Sequence, residues 1–83
     1  MLNLTLAENC DSVEIIENSG VISQVGYARA TKELYVEFVN GSVYTYVDVP
    51  ETLYAEFLNA KSRGSFLNTE ITPVFDSYLL EEI

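Results

Sequence analysis

Apolar and polar residues alternate over residues 33–39, where Leu34, Val36 and Phe38 interleave with Glu33, Tyr35 and Glu37. Successive side chains on a strand point to opposite sides, so this spacing predicts a strand with one face turned to a core. Asn40-Gly41 follows, a strong short-range hairpin signal, and a second strand carries Tyr44-Thr45-Tyr46. Two registers are open. A two-residue turn pairs Val39 with Ser42 and sends Tyr44 and Tyr46 to the outer face with Tyr35 and Glu37. A three-residue loop with Gly41 as a left-handed bulge pairs Phe38 with Ser42 and puts both tyrosines on the face of Leu34 and Val36. The bulged register is the expected one.

The pattern then changes period. Leu53, Tyr54, Phe57 and Leu58 fall on one stripe at helical spacing. Asp48 and Glu51 have the spacing of a capping box, and Pro50 suits a helix start. Lys61 and Arg63 are expected at the helix C-terminus, where cations suit the dipole, and Gly64 is expected to end it. Residues 66–71 read as one irregular turn, because Pro73 forbids a helix running through. Upstream, Leu2, Leu4 and Leu6 alternate with Asn3 and Thr5 as in a half-buried strand. Val13, Ile15 and Ile16 fit a short strand or one helical turn, Asn18-Ser19-Gly20 a turn, and residues 21–30 a strand. Residues 77–83 form a tail with Tyr78, Leu79, Leu80 and Ile83, helical if it docks. The expected fold is small and α+β: an antiparallel sheet of three to five strands around the Asn-Gly hairpin, with one amphipathic helix packed on it.

Eighty-three residues leave room for a single domain over residues 1–83, and an apolar share of 48% is that of a folded chain. Thirteen acids face four bases, Arg29, Lys32, Lys61 and Arg63, for a formal net charge of −9. Nucleic-acid affinity comes largely from Lys and Arg neutralising phosphates, so direct binding to nucleic acid is expected to be weak or absent. The same charge suits solubility, or a basic partner surface. Cys10 is alone and there is no His, which excludes an internal disulfide, a Cys-based metal site and histidine-dependent catalysis. A reduced, cytoplasmic setting is expected, with no cofactor. No apolar run approaches a membrane span.

The series Val25-Gly26-Tyr27, Leu34-Tyr35-Val36-Glu37-Phe38, Asn40-Gly41-Ser42-Val43-Tyr44, Tyr46, Val49-Pro50, Tyr54, Leu58-Asn59-Ala60, Ser62 and Gly64 resembles the KTSC domain. Phe66 and Asn68 are weaker matches. That family occurs at the C-terminal end of some lysyl-tRNA synthetases and as small stand-alone bacterial and phage proteins. The resemblance implies a module over residues 21–71, flanked by an N-terminal extension (1–20) and a C-terminal tail (72–83), and RNA binding has been suggested for the family. Members usually carry bases just after the Phe-Asn stretch. This chain has Thr69, Glu70 and Thr72 there, with Leu67 intervening and Thr45 between the tyrosines.

Candidate ligand-binding residues are Tyr44, Tyr46, Lys61, Arg63 and Asn68. The tyrosines could stack on bases, or fill the core. Lys61 and Arg63 could hold a phosphate, or cap a helix. Asn68 could orient a ligand, or pin its own loop. Glu33, Glu37, Glu51 and Glu56 have no neighbour to shift a pKa and read as solvated. Asp11, Glu14, Asp76, Glu81 and Glu82 lack calcium-loop spacing. The expected function is non-enzymatic binding of a nucleotide, an RNA or a protein. The alternative is an acidic inhibitor, phage-encoded, that occupies a basic nucleic-acid-binding surface of a partner. The apolar termini are expected either to close a homodimer or to fold back on their own sheet.

Overall fold

In the computed structural model, which describes residues 5–17 and 19–81, a five-stranded antiparallel sheet runs in sequence order. Its strands are β1 (Ser12–Ile15), β2 (Ile22–Ala28), β3 (Glu33–Phe38), β4 (Val43–Tyr46) and β5 (Ser77–Glu81). Helix α1 (Thr5–Asn9) precedes the sheet, and α2 (Glu51–Leu58), α3 (Arg63–Phe66) and a π-helical turn (Leu67–Ile71) link β4 to β5.

The hairpin takes the bulged register. Phe38 donates its amide to the Ser42 carbonyl, Gly41 adopts φ 96°, and Leu34, Val36 and Glu37 face Tyr46, Tyr44 and Val43. One face of the sheet therefore carries Val25, Tyr27, Leu34, Val36 and Tyr46, buried against Tyr54 and Phe57 of α2 and Leu67 and Ile71 of the π-helical turn. Tyr27 stacks on Tyr54 with ring centroids 4.9 Å apart, and its hydroxyl donates to the Val49 carbonyl.

Several expectations change. Leu6 lies in α1 rather than in a strand, while Leu2 and Leu4 fall outside the described residues. α1 packs on the second sheet face, where Leu6, Ala28, Tyr35 and Val43 form a smaller core. Tyr35 is thus buried, not displayed beside Glu33 and Glu37. Residues Ser77–Glu81 of the tail form a strand, not a helix, while Ile83 falls outside the described residues. β4 would otherwise present an unpaired edge, and β5 satisfies it, with Thr45 opposite Tyr78 and Val47 bonded to Asp76. A five-residue segment gains little from one helical turn, whose nucleation is unfavourable.

The capping box is also absent. Asp48 sits at φ 60° and turns the chain, so Pro50 becomes the N-cap with no side-chain bond. The Val49 amide donates to the Lys32 carbonyl, which ties this corner to the β2–β3 turn. α2 ends at Asn59, and Gly64 lies inside α3, whose N-cap is Ser62.

Candidate ligand-binding cleft

The break between α2 and α3 positions the charged end of the domain. Ser62 accepts a bond from the Ser65 amide and starts α3. The Arg63 side chain runs back to α2, where Nη2 donates to the Leu58 carbonyl at 2.7 Å. Such a bond satisfies a carbonyl in the last turn of a helix, which has no partner within it. Arg63 is therefore a cap, as its position suggested, but only part of its guanidinium is used. Its Nε is buried with no hydrogen-bond partner among the described residues.

Facing this segment is the turn between β1 and β2. The Ser19 hydroxyl accepts from the amides of Val21 and Ile22, at 3.2 and 3.0 Å, and fixes the turn. The turn and the α2–α3 segment enclose a cleft of about 300 Å³. Lys61, Arg63 and Asn68 all line it, together with Ser19, Ser62 and Glu17. Three of the five candidate residues are thus brought together.

Tyr44 and Tyr46 are not among its lining residues. Tyr46 is 4% exposed, in the main core, with its hydroxyl 3.4 Å from the Thr72 hydroxyl. Tyr44 is half-buried and meets Phe38 edge to face at 5.6 Å. Neither offers a free ring face beside the cations. Ser19, Gly20 and Glu17 were not candidates from the sequence. A turn signal at 18–20 marked Ser19 and Gly20, with Glu17 just before it, and a turn signal does not say which distant segment the turn will meet.

Cys10 is half-buried against Gly26, and burial, followed by the charges of Asp11 and Glu33, pushes its thiol pKa up to about 12. It is a packed thiol, not a nucleophile. Among the described residues no helix is long and apolar enough to cross a membrane.

A five-strand meander with a helical connection before its last strand and a cation-lined cleft defines a small α+β domain class. The model of one family, the KTSC domain, matches residues 18–75, and the chain belongs to that family. A protein of Tsukamurella paurometabola is 34% identical over 62 residues, covering 75% of this chain and 92% of that one. The lysine–tRNA ligase of Nostoc punctiforme is 40% identical over 55 residues, which are 66% of this chain but only 10% of that enzyme. The crystal structure of a KTSC domain protein from Yersinia pestis superimposes with a TM-score of 0.76 at 27% identity, covering 84% of this chain and 97% of that one.

Proposed function

We propose that the protein is a binding module with no chemistry of its own, which engages a nucleotide, an RNA or a protein partner through the cleft between the β1–β2 turn and the α2–α3 segment. The observation that carries this reading is the convergence of Lys61, Arg63 and Asn68 on one concave site in a chain of net charge −9. Two of its four bases are concentrated there, where they offset the surrounding field. The lysine–tRNA ligase that shares this domain supports a nucleotide-type ligand, since that enzyme acts on a tRNA by its name. Exposed acids on α1, on β1 and between them, Glu8, Glu14 and Asp11, support the second reading, an acidic surface that occupies a basic groove of another protein.

Amide chemical shifts of the labelled protein, followed during titration with a nucleotide mixture, single-stranded RNA and a basic protein, test both. Perturbation centred on residues 17–21 and 61–68 is the expected result. Perturbation confined to α1 and β1 by the basic protein favours the inhibitor. Silence at the cleft with every addition, up to about millimolar ligand, overturns the first reading.

A further inference from the structure

We infer that the cleft holds one phosphomonoester carried on a small hydroxyl-bearing body, a mononucleotide in size, and not the phosphodiester run of an RNA strand. The inference rests on the cleft being the ligand site and goes further by naming the ligand's chemistry.

A serine hydroxyl has one hydrogen and two lone pairs. The Ser19 oxygen already accepts from two amides, and the Ser62 oxygen from the Ser65 amide. What Ser19 retains is its hydrogen, and Ser62 retains its hydrogen and one lone pair. Lys61 and Arg63, which both line the cleft, carry donors only. The free valences on this wall are therefore mostly donors, and their complement is a group rich in acceptors and negative charge. A phosphomonoester supplies three acceptor oxygens and about −1.5 to −2 charges at neutral pH. A phosphodiester has fewer free oxygens and a single charge, and it leaves this wall less fully satisfied.

Glu17 lines the same cleft and, when ionised, only accepts. It is mismatched to a phosphate and matched to hydroxyl donors on the ligand's body. Ile16 and Val21 add an apolar surface for a flat ring, and Val21 is 49% exposed. The volume of about 300 Å³ lies at the small end of small-molecule sites.

Charge decides against the longer polymer. A strand that enters this cleft must continue over a surface whose remaining bases are Arg29 and Lys32, on the β2–β3 turn. Arg29 is already paired with Glu51 at 3.1 Å. Beyond the cleft, further phosphates meet a negative field with only Lys32 and the already paired Arg29 to neutralise them.

Titrations at physiological salt with a mononucleotide (5′-AMP), adenosine, inorganic phosphate and a single-stranded RNA lacking terminal phosphates test the inference, read as amide shifts at residues 19–21 and 61–65. The expected order is mononucleotide tightest, with adenosine and the RNA weaker by about tenfold or more. Lys61→Ala, an exposed change that leaves the fold intact, should weaken the mononucleotide by about tenfold and adenosine hardly at all. Glu17→Gln should weaken the mononucleotide without weakening inorganic phosphate. RNA perturbing these amides more tightly than the mononucleotide overturns this inference and leaves the cleft as a binding site. Adenosine equal to the mononucleotide, or no response to Lys61→Ala, also overturns it. Silence with every probe, RNA included, removes the cleft as a ligand site altogether.

Discussion

Gly26 shows how tightly single residues are fixed in this sheet. A Cβ built on it would lie 2.6 Å from the Cys10 Sγ, 3.0 Å from the Cys10 Cβ and 3.1 Å from the Ser12 carbonyl oxygen. The constraint is space, and it comes from a residue on the segment joining α1 to β1. Gly26→Ala should therefore cost about 1–3 kcal/mol, the range for overpacking. Adding Cys10→Ala removes the nearest atom and should recover part of that loss, but not all, since the Ser12 carbonyl and the Cys10 Cβ remain. A double-mutant cycle from urea melts measures the coupling. Strict additivity would mean that the two side chains do not compete for this space. Other residues carry backbone strain instead. Lys32 and Asp48 both adopt left-handed φ, at 59° and 60°, and the Val49 amide bond to the Lys32 carbonyl joins the two turns.

The β3–β4 hairpin is the element on which the core depends. Gly41 at φ 96° allows the bulge, and the bulge places Tyr46 in the core and Thr45 on the opposite face. Gly41→Ala should destabilise by about 1 kcal/mol or more through the left-handed penalty. Tyr46→Ala should cost about 3 kcal/mol or more, as for a buried aromatic. Tyr44→Ala should cost less, because that ring is only half-buried against Phe38. Denaturant midpoints at constant slope read all three. A Tyr46→Ala loss near that of a surface change would contradict the register. This hairpin and α2 were legible in the sequence because each has a strong local period and its own turn chemistry. Helix α1 and strand β5 were not. Alternation around Leu6 covers too few residues to separate strand from helix, and β5 is fixed by the open edge of β4, which no local pattern reports. The cleft was half legible: the cationic wall at residues 61–68 stood out by charge, whereas the wall at 17–21 is joined to it only by the tertiary fold.

At the scale of the whole molecule, the buried hydroxyls and the half-buried thiol make the fold sensitive to base. Burial raises the pKa of Tyr27, Tyr35 and Tyr54 above the ordinary 10.0, with Glu51, Glu33 and Glu14 respectively adding to the shift. Burial likewise takes the Cys10 thiol from 9.0 up to about 12. In each case the folded chain holds its proton to higher pH than the unfolded chain does. Between the two values the unfolded state binds fewer protons, so stability falls as pH rises. The stabilisation is complete below the unfolded thiol's pKa of 9.0 and is lost progressively as pH rises through about 12. Each proton released also adds to a net charge already at −9, so self-repulsion acts in the same direction. Urea midpoints measured from neutral pH upward should decline across this window, and added salt should recover part of the loss by screening. Absorbance of tyrosinate should rise late for Tyr27, Tyr35 and Tyr54 and complete only as the circular dichroism of the sheet disappears. In Cys10→Ala the decline should begin later and be shallower, since one of the shifted groups is gone. A midpoint unchanged to pH 12, or tyrosines that all ionise together near 10.0 while the sheet remains intact, would show that these groups are not held in their neutral forms by the fold.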